Sequence, residues 1–376
     1  MHQYSSPELN YRIALTMVPS IGPVIASKLI EKCGSARNVF SLEREGLMKI
    51  KGIGPELASA LTDKRWLDRA SAELEFLTRH KISVRCFGDP GYPKRLSQCY
   101  DAPLVIYSRG NRGLCSKRMI SVVGTRKATS YGREMCRQLV LDLARQVQGL
   151  VIVSGLAYGI DVIAHKAALE AGIPTLAVLG HGFRTIYPSS HREVAKKIMD
   201  QGCLVTDFHS NTGPERNNFL RRNRIIAGLT DATLVVESAE EGGALITADL
   251  AHSYDRPIVA VPGRASDERS RGCNALIRDC KAALVESASD VLYHLSWDPD
   301  LPETVQDPST MEKPGKRERQ LLQQMVNEPG IKPEKLSLQS GIPIEQVLSM
   351  LVRMELNHWI MVEPGYRYHC RIPLWK

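Results

Sequence analysis

VIVSGLAYGIDVIAHK, residues 151–166, runs from a short apolar segment through small residues into a helical pattern. The apolar run Leu150 to Val153 has the length of a buried strand; Ser154-Gly155 and Gly159 follow it, and apolar residues then recur at helical spacing. A buried strand ending in small residues at a helix start is how an α/β sheet presents backbone N–H groups to an anion. This one stretch therefore predicts a fold class and also where in that fold a ligand would sit.

The same phrase recurs along the chain. Apolar runs lie at Ile120–Val123, Thr175–Leu179, Leu204–Thr206, Thr233–Val236, Ile258–Val261 and Ala282–Val285, with helical spacing between most of them. Near-continuous apolar strands alternating with helices predict a doubly wound, mostly parallel α/β sheet covered on both faces. Ligands of such sheets bind beyond the carboxyl ends of the strands. Those exits read Gly124-Thr125-Arg126, Ser154 to Gly159, Gly180-His181-Gly182, Glu237-Ser238-Ala239 with Gly242-Gly243 close behind, and Pro262-Gly263-Arg264. They predict an open crevice lined by backbone.

Upstream, Ile21-Gly22-Pro23-Val24-Ile25-Ala26-Ser27-Lys28-Leu29 is echoed by Ile53-Gly54-Pro55-Glu56-Leu57-Ala58-Ser59-Ala60-Leu61. Each puts Gly-Pro at a turn before a helix. Both resemble helix-hairpin-helix modules, and the second carries Lys49 and Lys51 before its turn. Contact with a nucleic-acid phosphate and simple packing both remain open for this region. Residues 82–116 read as a bridge with short strands at Ile82–Phe87 and Pro103–Tyr107.

Downstream, residues 297–316 contain prolines 299, 302, 308 and 314 without periodicity, and read as a linker. Three amphipathic segments (317–327, 333–340, 344–357) and a hairpin turning at Pro364-Gly365 then suggest a winged-helix-like module. Its third segment, IEQVLSMLVRMELN, has one arginine against two glutamates, so protein docking is as good a reading as groove binding. The expected domains are a helical one at 1–80, the sheet at 81–296, the linker, and the last module at 317–376.

Of the 376 residues, 43% are hydrophobic and 24% charged, as in soluble globular proteins. No apolar run reaches the ~20 residues that span a bilayer, and no secretion signal is visible. The nine cysteines are scattered without a CxxC, which predicts reduced thiols, a cytoplasmic location and no zinc site. A formal net charge of +8 permits a polyanionic partner.

The arginines say more. Arg221, Arg222 and Arg224 crowd NNFLRRNRIIAG from Asn217 to Gly228, with Arg216 just before it and no acid among them. At the start of a packed helix they would repel one another unless an anion neutralised them. Asn218 and Asn223 add neutral donors, and Phe219 could stack on a base. Arg126, followed by Lys127, stands at a strand exit where a guanidinium can fork onto phosphate or pair with a carboxylate. Asp161 and His165 could be an acid/base pair; without a nucleophile or metal cluster nearby, the plainer reading is that Asp161 fixes the loop and holds His165. Glu237 is the other carboxylate placed for catalysis. There is no GxxxxGK[ST] and no GxGxxG, so neither ATP nor NAD is expected in its usual mode, nor any other cofactor.

Taken in order, FGDPGYPKRL (87–96), VVGTRKATSYG (122–132), VSGLAYGID (153–161), AVLGHGFRTIYP (177–188), NNFLRRNRIIAGL (217–229), GGALITA (242–248), VAVPG (259–263) and GCNALIRDC (272–280) resemble the DprA/Smf family of bacterial DNA-processing proteins. The resemblance implies an extended Rossmann-like domain that binds single-stranded DNA in a basic pocket. It further implies a homodimer formed through that domain, no membrane partner, and loading of RecA recombinase onto strands taken up in natural transformation. Carried over by motif, Gly124 and Arg126, Lys166, and Asn223 with Arg224 would line the pocket. With the residue-level reading, the expected DNA-binding set is Gly124, Arg126, Lys127, Gly155, Gly159, Lys166, Arg216, Asn218, Phe219, Arg221, Arg222, Asn223, Arg224, Gly242 and Gly243. No catalytic or metal residue is expected. The alternative is a LOG-like nucleotide hydrolase or nucleotide sensor using the same crevice. Against it, the LOG signature PGGxGTxxE is matched here only by EGGALITAD (241–249).

Overall fold

A computed structural model describes residues 7–110, 113–298, 314–357, 359–363 and 365–370. Contacts divide the chain between residues 300 and 301 into two compact units. Most of the expected linker, residue 358 and Pro364 of the expected hairpin turn lie outside the described residues.

The first unit is built on a nine-stranded sheet: β1 Ser83–Cys86, β2 Val105–Gly110, β3 Arg118–Gly124, β4 Leu150–Ser154, β5 Thr175–Val178, β6 Cys203–Thr206, β7 Ala232–Glu237, β8 Ile258–Ala260 and β9 Ala283–Leu284. Their order is β1-β2-β6-β5-β4-β3-β7-β8-β9. Every pairing from β6 to β9 is parallel, while β1 and β2 join the β6 edge antiparallel, with Tyr107 opposite Thr206. Residues 82–116 are thus more than a bridge, because two of their segments extend the sheet.

The strands read as continuous apolar runs because both faces are covered. Ile120, Leu150, Ile152 and Leu234 pack under helices Ser130–Gln146, Ile160–Glu170 and Ala288–Leu295. Val151, Val153, Val178 and Val235 pack on the other face, under helices Arg216–Leu229, Gly243–Ser253 and Arg271–Arg278. Strand order reverses where β3 meets β7, and this is the switch point at which such sheets open a crevice.

The amino-terminal helices share one apolar core with the sheet edge: Ile13, Leu29, Leu47, Leu61 and Leu77 cluster with Ile82, Val84 and Tyr107. The two Gly-Pro phrases both start helices, with Gly22 and Gly54 as N-caps of nearly identical backbone angles. Buried Glu73 also accepts hydrogen bonds from the Ser210 N–H (2.8 Å) and hydroxyl (2.6 Å), tying helix Arg65–Arg79 to the loop after β6. In the second unit, helices Lys316–Asn327, Pro333–Ser340 and Ile344–Leu356 precede an antiparallel hairpin of β10 Ile360–Glu363 and β11 Arg367–Cys370, the expected element order. No disulfide joins two cysteines among the described residues.

Candidate nucleic-acid interface

At the switch point the two crevice loops press backbone against backbone. Register slips between Val123 and Gly124 as β3 leaves β7, and the Thr125 N–H donates to the Glu237 carbonyl at 2.7 Å. The Ile160 N–H in turn donates to the Thr125 carbonyl at 3.2 Å. Gly159 has φ +75°, and a Cβ there would lie 2.1 Å from the Thr125 carbonyl oxygen; a Cβ on Gly124 would lie 2.5 Å from Ile160 Cγ1. Glycine is required at both places so that the loops can meet. Their meeting carries Arg126 and Lys127 out into solvent.

The loop Ser154–Gly159, expected to cradle an anion, is filled from within. Buried Asp161 accepts from the Gly155 N–H at 3.2 Å and the Ala157 N–H at 3.4 Å. Gly155 packs so tightly on Arg222 that a Cβ would lie 2.2 Å from its guanidinium. Asp161 therefore fixes the loop, as expected, and its burial raises its pKa. His165 is not held by Asp161: its Nδ1 meets Thr175 Oγ1 at 2.7 Å, and burial pushes its pKa down to about 3.

Helix Arg216–Leu229 sorts its arginines by face. Arg216 and Arg221 are exposed, while Arg222 and Arg224 are buried. Arg222 donates to the carbonyls of Gly155 (2.7 Å) and Val178 and to Asn223 Oδ1 (3.1 Å). Burial lowers its pKa to about 10, although Asp161 opposes the shift. Arg224 pairs with Asp207 and donates to the Asp101 carbonyl. The expectation that all four arginines need an outside anion is corrected for these two, which are satisfied by groups of the protein itself. Asn218 and Asn223 likewise spend side-chain donors on the Gly213 (3.2 Å) and Gly243 (3.3 Å) carbonyls.

What stays open is a rim. Phe219 lies against Gly180, where a Cβ would come within 2.6 Å of its ring. The Arg126 guanidinium sits 5.6 Å from the Phe219 ring centroid, and no described carboxylate pairs with it. Gly242 and exposed Gly243 open the helix after β7, beside Asn223. Lys166 is not gathered with these groups: it stands two turns into its helix and lines a groove with Leu169, Glu170, Val194 and Lys197. Glu237 is buried and accepts from the N–H (2.9 Å) and hydroxyl (2.5 Å) of Thr129, the residue that caps helix Ser130–Gln146. A carboxylate so engaged is a poor general base.

Sequence reasoning missed Arg269, whose guanidinium donates to the Lys127 carbonyl and brings a further cation to the rim. It also passed over Tyr158 and Tyr187, which lie at the β4 and β5 exits and are 48% and 44% exposed. The signal was there: Tyr158 falls inside the exit Ser154–Gly159, and Tyr187 inside the phrase AVLGHGFRTIYP (177–188).

A doubly wound sheet with a cation-rimmed switch point places this chain among the Rossmann-like α/β proteins, with a crevice complementary to an anion. The family model described as DNA recombination-mediator protein A matches residues 83–296, and a SAM-like helix-hairpin-helix tandem matches residues 13–64. Protein Smf of Escherichia coli (strain K12) is 35% identical over 283 residues, covering 73% of this chain and 74% of that protein. The crystal structure of DNA processing protein A from Streptococcus pneumoniae aligns with TM-score 0.66 at 32% identity, over 76% of this chain and 97% of that one. DNA processing protein A from Helicobacter pylori, whose structure concerns a single-stranded DNA binding mode, aligns with TM-score 0.52 at 26% identity, over 58% of this chain and 97% of that one. The chain belongs to the DprA/Smf family of DNA recombination-mediator proteins. Among the described residues, no helix is long and apolar enough to cross a membrane.

Proposed function

We propose that the rim at the β3/β7 switch point binds single-stranded DNA, and that the protein mediates recombination by delivering that strand to a RecA recombinase in the cytoplasm. The observation that carries this reading is Arg126: a solvent-exposed guanidinium at the switch point, beside an aromatic ring, with no described carboxylate to neutralise it. Exposed Lys127 adds positive charge beside Arg126, exposed Arg216 and Arg221, the latter over the Phe208 ring, offer further cations on helix Arg216–Leu229, and Phe219 supplies a ring face for a base. Arg222, Asn223, Arg224 and the glycines act beneath the rim by fixing its shape. Family membership and the Helicobacter pylori relative support the ligand class. A homodimer formed through the Rossmann-like domain is part of the same proposal, and its support is family membership. The engagement of Glu237 with Thr129 weighs against the hydrolase alternative.

The test is a binding titration with single-stranded DNA, duplex DNA and nucleoside monophosphates. Tight binding of the single strand, weakened by about 1–3 kcal/mol in Arg126→Ala, is expected for a charge-assisted contact. Preference for a mononucleotide, with release of free base abolished in Glu237→Ala, would establish the alternative.

A further inference from the structure

Positive charge on the rim accounts for affinity to any phosphate backbone but not for a preference for unpaired strands. Two tyrosines, each one residue removed from a contact of Arg126, bear on that preference. Tyr187 is exposed, and its ring lies 5.5 Å from that of Phe219 at an interplanar angle of 36°. Its backbone N–H donates to Nε2 of buried His181 at 3.2 Å, which fixes the segment that carries it. Tyr158 is also exposed; its hydroxyl accepts from Ser190 at 3.2 Å, and its ring packs edge-on to His191 at 4.9 Å. His191 is anchored in turn to the Leu156 carbonyl at 2.9 Å. The short segment 187–191 therefore holds both rings.

Arg126 touches both rings' surroundings. Its guanidinium lies over Phe219, the neighbour of Tyr187, and its backbone packs on Gly159, the neighbour of Tyr158. Large aromatic side chains left in solvent lose the benefit of burial, and here each is held in place rather than left to swing. A propped, exposed ring beside a phosphate-complementary cation has the chemistry of a base-stacking platform: the cation takes the backbone and the ring takes the π-face of a base. Bases within a duplex are stacked on each other and offer no such face.

We infer that Tyr158 and Tyr187 form a nucleobase-stacking ledge in the loops around Arg126, so that the crevice selects strands with unpaired bases over other polyanions. The inference rests on the proposed binding of single-stranded DNA at this rim. The experiment compares the full chain with Tyr187→Ala, Tyr158→Ala and Tyr187→Trp on oligo-dT and on an abasic oligonucleotide of the same length. The parent is expected to bind oligo-dT more tightly than the abasic strand. Each alanine variant should lose about tenfold on oligo-dT and less than twofold on the abasic strand, because phosphate contacts survive; Tyr187→Trp should retain binding. Unchanged melting temperatures would show that the exposed substitutions leave the fold intact. Alanine variants that match the parent on oligo-dT, or a parent that binds both strands equally, would overturn the ledge while leaving phosphate binding standing. A parent that binds neither strand would instead overturn the proposed function itself.

Discussion

Arg224 is 8% exposed and its guanidinium ends on Asp207 and the Asp101 carbonyl, whereas Arg126 reaches solvent without a described carboxylate beside it. The two arginines carry the same charge but do different work. Removing Arg224 strands a buried Asp207, and leaving one partner of a buried pair alone costs about 3–5 kcal/mol. Urea denaturation of Arg224→Ala should show that loss, while Arg126→Ala should stay within about 0.5 kcal/mol of the parent. Any fall in DNA affinity on mutating Arg224 is then to be read through stability, and only the Arg126 variant reports on the rim. Equal stability of the two variants would contradict this division.

Helix Ile160–Glu170 carries a second testable device, because His165 is buried against Thr175. Its pKa in the folded state falls to about 3, while the unfolded chain titrates near the ordinary histidine value of about 6.5. Between those values the unfolded state binds one proton more, so stability declines as pH drops from about 6.5 toward 3 and is unaffected above that range. Replacing His165 by Gln should remove about 1.4 kcal/mol per pH unit from that slope, read from urea midpoints between pH 6 and 4. The elements themselves were legible in the sequence: the run Leu150–Val153 and its counterparts became strands, because burial on both faces leaves an apolar signature. The membership of β1 and β2 in the sheet was not, because antiparallel edge pairing depends on tertiary neighbours such as Thr206. The helix Arg216–Leu229 was also half legible. RRNR announces charge, but which arginines point inward is decided by Asp207, Gly155 and Val178, distant in sequence and near in space. The same holds for the loop amides, which Asp161 had already taken.

At the scale of the whole molecule, the first unit holds its own cores and the candidate interface, and the second unit closes a separate core around Leu321, Val347 and Trp359. A chain ended at residue 300 should fold and bind single-stranded DNA within about twofold of the full chain, since every rim residue lies before that point. A chain begun at residue 82 should behave differently: it would strip Ile13, Leu29 and Leu77 from Val84 and Tyr107 and expose that edge of the sheet. Aggregation of the second truncation and monodisperse behaviour of the first, followed by size-exclusion chromatography, would bear this out. Whether exposed cations at the switch point hold a single strand by its phosphates can be read from fluorescence anisotropy of oligo-dT titrated across a salt series with the parent and Arg126→Ala. The variant should bind more weakly, with a log K against log salt slope shallower by about 0.7, the value for one lost phosphate contact on a single strand. Superimposable curves for the two proteins would contradict it.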